Sequence, residues 1–237
     1  VGDTDPTQVI LLEIEPEKQT TYIDMLSTSV ELGIPVVCIT KIIKRENQLF
    51  YKDKEGNPVL IKKIYNRVIF DELYQRPDLD IQFKFTDVLD VEWIGHPNWF
   101  YRISKFLLPF IKNKYVPETH FLNELIVLPD DLDNYVLKPL FSFAGAGVII
   151  EVTKEDIEKI TNKSNYILQR KVKYEPILKS PNEPVKAEIR MLMMWPKDAP
   201  KAFVVTNLVR LSKGKMIGVK YNKDKDWVGG SVGFFYK

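Results

Sequence analysis

Cysteine and histidine are scarce in this 237-residue chain, which has one of the first, Cys38, and two of the second. A single thiol excludes an intrachain disulfide framework, and so few soft ligands argue against a zinc centre. Cys38 lies in the apolar run Ile34-Pro-Val-Val-Cys-Ile39 and is expected to be a buried core thiol. No apolar run approaches the ~20 residues that a membrane-crossing helix needs, and no stretch has the pattern of a signal peptide. Internal repeats, low-complexity tracts and charged tails are also missing. Lysine and arginine number 34 against 32 acidic residues, a net charge of +2 with a pI near 8.4. That balance gives no argument for a nucleic-acid partner. With neither targeting segment nor disulfides, the cytoplasm is the expected compartment and no membrane partner is expected. The sequence opens on Val1, not methionine, as a processed or excised piece would.

What is present is ordinary globular composition, 45% hydrophobic and 28% charged, enough for one large domain or two modest ones. Residues 8–15 read as a buried strand. Lys18 to Leu32 reads as a helix, with Tyr22, Ile23, Met25, Leu26 and Val30 as its apolar stripe and Gly33 as its C-cap. Ile34 to Thr40 is a second strand, so the three suggest a right-handed parallel βαβ unit. Residues 48–63 read as a hairpin turning at Lys54-Glu-Gly-Asn57. Strands follow at Lys62–Ile69 and Val91–Ile94, with a short helix from Asp71 between them. Gly95-His-Pro-Asn98 is a turn, and Pro97 is placed to open a helix over Trp99–Ile111 that carries Arg102 and Lys105 on one face. The boundary between halves falls here, giving regions 1–95 and 96–237.

The second half turns on Tyr135-Val-Leu-Lys-Pro-Leu-Phe-Ser-Phe-Ala-Gly-Ala-Gly-Val-Ile-Ile150. Tyr135 to Leu137 favour a strand, Lys138 ends it, and Pro139 stops the ladder. A loop with Gly145 and Gly147 leads to a second apolar run at Val148. Glycines let backbone N–H groups approach phosphate oxygens, and a lysine adds a point charge. The same residues also suit a plain β-hairpin with a surface lysine. The loop leads into a strand, so it is neither a Walker loop nor a Rossmann fingerprint. Thr153-Lys-Glu-Asp156 reads as a capping box opening a helix. Strands are expected at Tyr166–Val172, Lys186–Trp195 and Ala202–Leu211. Ser212-Lys-Gly-Lys215 reads as a turn with Met216–Lys220 pairing back, and Met191, Met193 and Met194 as core filler.

The order of these parts resembles the ATP-grasp superfamily, the fold of glutathione synthetase-like ligases, from about Trp99 to Gly230. The fold class is then α/β (α+β): a pre-ATP-grasp-like α/β region over 1–95, then an ATP-grasp domain of two α+β lobes over 96–237. The resemblance rests on Lys105 before Tyr115-Val-Pro-Glu-Thr119, on Val136-Leu-Lys-Pro139, and on the loop Ser142-Phe-Ala-Gly-Ala-Gly147. It continues through Leu168-Gln-Arg-Lys-Val172, Glu188-Ile-Arg190, Arg210 and Gly229-Gly230. It implies ATP as cofactor, with Lys105, Lys138, Ser142, Gly145 and Gly147 on the phosphates. The main chain of Gln169, Arg170, Lys171 and Val172 would meet adenine, with Ile149, Leu168 and Val172 as pocket walls. Arg190 and Arg210 would clamp the γ-phosphate or a substrate carboxylate, a task that guanidinium geometry suits. An interstrand ion pair is the plainer use of either arginine.

The family's usual metal-binding Glu-X-Asn strand has no counterpart before Lys237. Mg²⁺, also implied by the resemblance, would fall to Glu188, Asn222 or Asp224, oxygen ligands of the type it takes, although the plainer reading of Asn222–Asp226 is a solvated loop. The implied activity is ligation of a small carboxylic acid to an amine or thiol through an acylphosphate. Two other readings stand beside it: a degenerate relative that binds nucleotide or a partner without catalysis, and a module for anions or peptides unrelated to ATP. A homodimer is compatible with all three.

Overall fold

The computed structural model describes residues 1–142, 145–218 and 221–234. Phe143 and Ala144 of the glycine loop, and Val219 and Lys220 of the expected return strand, lie outside the described residues. Mixed helices and several sheets make an α+β fold. The chain divides into two compact units, Val1–Gln169 and Arg170–Lys237. No helix among the described residues is long and apolar enough to cross a membrane.

The first unit begins with β1 (Val9–Glu13), in which every residue is buried. Burial on both faces is the mark of a central parallel strand. Helix α1 (Tyr22–Leu32) ends at Gly33, whose left-handed φ of 67° forms the C-cap. It returns the chain to β2 (Val36–Cys38), parallel to β1. The expected stripe of α1 is only partly used: Met25 is buried, while Leu26 and Val30 are exposed. An antiparallel meander follows, β3 (Ile43–Arg45), β4 (Gln48–Lys52) and β5 (Pro58–Ile61). Its β4–β5 turn is held by Asp53, whose carboxylate accepts from the backbone of Asn57. β6 (Lys63–Asn66) and β7 (Glu92–Ile94) complete a parallel sheet in the order β2-β1-β6-β7. Between them come α2 (Phe70–Tyr74) and an irregular stretch that packs Phe83, Phe85 and Leu89 onto the sheet's core. Cys38 is half-buried because β2 is the sheet's edge; its Sγ accepts from the Glu15 backbone at 3.4 Å.

The helix expected over Trp99–Ile111 is broken. After a 3-10 turn, α3 covers only Phe100–Ile103, and Lys105–Phe110 forms a second 3-10 turn containing Pro109. Ser104 is extended, and its hydroxyl caps the new turn by accepting from Phe106 N. A side chain that caps the following turn competes with helix continuation, and Pro109 cannot donate to one.

A second sheet in this unit has the order β8-β10-β9, from β8 (Thr119–Phe121), β9 (Tyr135–Pro139) and β10 (Tyr166–Arg170). One face packs Leu137 and Leu168 against Leu122, Leu132 and Ile157. Ile157 belongs to α4 (Lys154–Glu158), which opens with the expected capping box of Thr153 and Asp156. The other face holds Phe121 and Ile167 under Phe106, Leu108 and Phe141. Aromatic rings run from the first core to this one, Phe85 to Phe70 to Phe100 to Phe141, at centroid spacings of 4.9, 5.3 and 5.9 Å. They deliver Phe141, and so Ser142 after it, to the sheet.

The second unit is a three-stranded antiparallel sheet, β11 (Lys186–Met194), β12 (Phe203–Ser212) and β13 (Gly229–Ser231). Met216–Gly218 forms no strand, and β13 pairs with β12 instead. The turn after β12 is organised by Asn222, a side chain that no local pattern points to. The three methionines are not core: Met191, Met193 and Met194 lie 48%, 56% and 59% exposed on the outer part of the β11–β12 ribbon, beyond the reach of β13.

Candidate functional site

Lys138 stands on β9, and its neighbour in the central strand β10 is Gln169. Lys138 Nζ donates to Gln169 Oε1 at 2.5 Å. Gln169 Nε2 donates to Thr119 Oγ1 at 2.9 Å, and Thr119 Oγ1 donates to Pro117 O at 2.9 Å. Thr119 is the register partner of Gln169 on β8. The three side chains thus form one row across the sheet, on the face opposite Leu168, because side chains alternate along a strand.

Lys105 reaches the same end of β9 from the broken helix. Its backbone N–H donates to Leu140 O at 3.3 Å. Its Nζ donates to Ser142 O at 2.6 Å and to Ser142 Oγ at 3.1 Å. The loop beyond Ser142 needs its glycines. Gly145 and Gly147 have φ of 79° and 67°, and a Cβ on Gly147 would lie 2.8 Å from Pro139 Cγ. Val148 N closes the turn on Gly145 O, and Ile149 bridges back to Leu137.

Neither lysine forms an ion pair with a described residue; their partners are a carboxamide, a hydroxyl and a backbone carbonyl. Burial pushes the pKa of both ammonium groups down, and the charge of Lys138 lowers Lys105 further, while Asp71 acts the other way. Burial pushes Asp71 up, opposed by Lys105. Two desolvated cations that feel each other and meet only neutral oxygens favour a nearby anion.

The arginines of the second unit are placed differently. Glu188 pairs with Arg210 across β11 and β12, and Arg210 with Gly230 across β12 and β13. Arg190 Nε and Arg210 Nη1 both donate to Glu188 Oε1, at 2.9 and 3.4 Å, and Arg210 Nη2 donates to Ile217 O at 2.8 Å. Beside them the Tyr174 phenol is pushed up by burial and then by Glu188, with both arginines opposing. The cluster is an interstrand ion triad with one surplus positive charge.

The residues suggested for Mg²⁺ do not offer a fitting donor set. Glu188 shares one oxygen between two guanidinium groups. Asn222 is buried, and its Oδ1 accepts from the backbone of Lys213 and Gly214 at 2.9 and 3.0 Å. Asp224 is exposed in a loop. Among the described residues no three His, Cys, Asp or Glu side chains gather at one point.

The structure therefore brings Lys105, Lys138, Ser142 and Gln169 together in the first unit, and Glu188, Arg190 and Arg210 in the second. Arg170 is the exposed last residue of β10, followed by Lys171 and a half-exposed Val172. Leu168 is fully buried, so its side chain is packing and not a wall. Sequence reasoning missed Thr119 and gave Gln169 a main-chain role. The two lie 50 residues apart, and no local pattern links them. It also missed Glu13, buried at the end of β1, whose carboxyl is pushed up to about 7 by burial and then by Glu72, against Ile14 N and Arg67. No known protein family matches this chain, and no curated protein matches it.

Proposed function

We propose that the first unit holds the phosphates of ATP, and that the protein is an ATP-dependent ligase joining a carboxylic acid to an amine or thiol. The observation that carries this reading is the pair of part-buried lysines, Lys105 and Lys138, that meet only neutral partners at a glycine turn. ATP would supply the phosphoryl group that activates the carboxylate. Phosphoryl transfer asks the protein mainly for position and charge neutralisation. The two ammonium groups neutralise phosphate oxygens, Ser142 keeps Lys105 at the loop, and the backbone of Gly145 and Gly147 lets phosphate approach closely. No step is assigned to Mg²⁺. The cytoplasm suits an ATP-consuming enzyme.

A thermal shift with a non-hydrolysable ATP analogue tests the reading, on the wild type and on Lys138→Ala. A ligand that binds only the folded state adds about 2.7 kcal/mol at a hundred times its Kd. The expected result is a raised midpoint that Lys138→Ala abolishes, and release of ADP with some member of a panel of small carboxylates. No shift at millimolar nucleotide would sink the reading and leave an anion or peptide module. A second reading, nucleotide binding without catalysis, is favoured by the engagement of Glu188 and Asn222 in structural hydrogen bonds. It predicts a shift that is indifferent to Mg²⁺ and no ADP release with any acid.

A further inference from the structure

The row of hydrogen bonds behind Lys138 has a direction. Pro117 O can only accept, so Thr119 Oγ1 must give it its proton and turn a lone pair toward Gln169. Gln169 must then present its NH2 to Thr119, which leaves its Oε1 facing Lys138. Thr119 and Gln169 are 3% and 6% exposed, so water does not easily stand in for either. A carboxamide that flipped would set NH2 against an ammonium group and an oxygen against a hydroxyl whose proton is committed. The row therefore fixes a neutral acceptor on Lys138 where a carboxylate would be the usual companion of a part-buried lysine.

We propose that Thr119 and Gln169 are positioning residues that hold Lys138 as an uncompensated cation, so that the site selects multiply charged phosphate anions. This deepens the nucleotide reading and rests on it. A carboxylate at position 169 has the same shape and would accept the same hydrogen bond from Lys138. It would also cancel the charge that phosphate is to meet. One of three ammonium protons is used by Gln169, so two remain for a ligand. The downward displacement of both lysine pKa values is what such a site shows before an anion arrives.

The test compares wild type with Gln169→Glu, Thr119→Val and Thr119→Ser, using inorganic tripolyphosphate in calorimetry and a pH titration of the Lys138 amine by NMR. Gln169→Glu is expected to raise the Lys138 pKa, to lower the thermal midpoint slightly because its second oxygen faces the committed Thr119 hydroxyl, and to weaken tripolyphosphate by at least about tenfold, the value of one charge-assisted hydrogen bond. Thr119→Val is expected to weaken it several-fold, and Thr119→Ser to restore it. The inference is overturned if Gln169→Glu raises the Lys138 pKa yet binds tripolyphosphate as the wild type does. A wild type that titrates as expected but binds no tripolyphosphate would instead overturn the phosphate reading, and with it the purpose assigned to the row.

Discussion

Lys105 and Lys138 touch only neutral oxygens, whereas Arg190 and Arg210 meet on a single carboxylate oxygen of Glu188. Lys138 and both arginines sit on β-strands and Lys105 on a 3-10 turn, and both pairs are what a resemblance to phosphate-handling enzymes picks out. Their surroundings set them apart. The arginines have a counter-charge supplied by the fold: the Arg190 pair is exposed, where such pairs contribute little, and the Arg210 pair is part-buried. Lys138 is desolvated without one, and Lys105 feels Asp71 without an ion pair to it; the cost in folding free energy is one that a bound anion would offset. Residue type and spacing alone give the two pairs equal standing; the partners separate them.

The sharpest way to break the contrast is to remove the packing beneath the lysine row. Leu168, on the strand that carries Gln169, is fully buried against Leu122, Leu132 and Ile157. Leu168→Ala is expected to cost about 2–5 kcal/mol in denaturant unfolding, with tripolyphosphate affinity falling alongside. Next in size is Glu13→Gln, which isolates burial as the cause of shifted titration. Glu13 is pushed up from an ordinary 4.5 to about 7, so it is protonated in the folded chain where the unfolded chain has lost its proton. Its contribution is full below pH 4.5 and is lost as pH rises through about 7, at ~1.4 kcal/mol per unit. Glu13→Gln should flatten that part of the stability–pH curve and be the more stable form above pH 7. An unchanged slope would show that burial does not govern this carboxyl.

Smaller effects sharpen the arginine side. Glu188→Gln should cost less than about 1 kcal/mol, while giving the arginines the uncompensated character of the lysines. Salt-sensitive binding of polyanions is expected to strengthen in that variant. Arg190→Met should change stability by about 0.5 kcal/mol or less, since its side chain is 51% exposed. A loss of several kcal/mol in thermal unfolding would show that the triad holds the sheet together.

Much of the framework was legible because its signals are local. The strand within residues 8–15, Gly33 after α1, the Lys54–Asn57 turn and the Thr153 capping box each fall within a few residues of what they control. The strand that carries Lys138 was legible in the same way, though it runs one residue further, through Pro139. Less was visible where a side chain acts at a distance or against its own propensity. Ser104 caps a new turn and breaks a helix whose apolar pattern runs on to Ile111. Asn222 claims the backbone of Lys213 and Gly214, and the expected return strand does not form over Met216–Gly218. The methionines of β11 have the residue type of a core strand but no layer over them. Of the site, the lysines and glycines could be read from the sequence; the Thr119–Gln169 support behind Lys138 comes only from the pairing of β8 with β10.

The most direct test of the account is the equilibrium affinity of the ATP analogue for Lys105→Met and Lys138→Met beside the wild type. If the two uncompensated charges are the site, each substitution alone weakens binding by at least about tenfold. Wild-type affinity in both variants would contradict it and return Lys105 and Lys138 to the role of ordinary structural lysines.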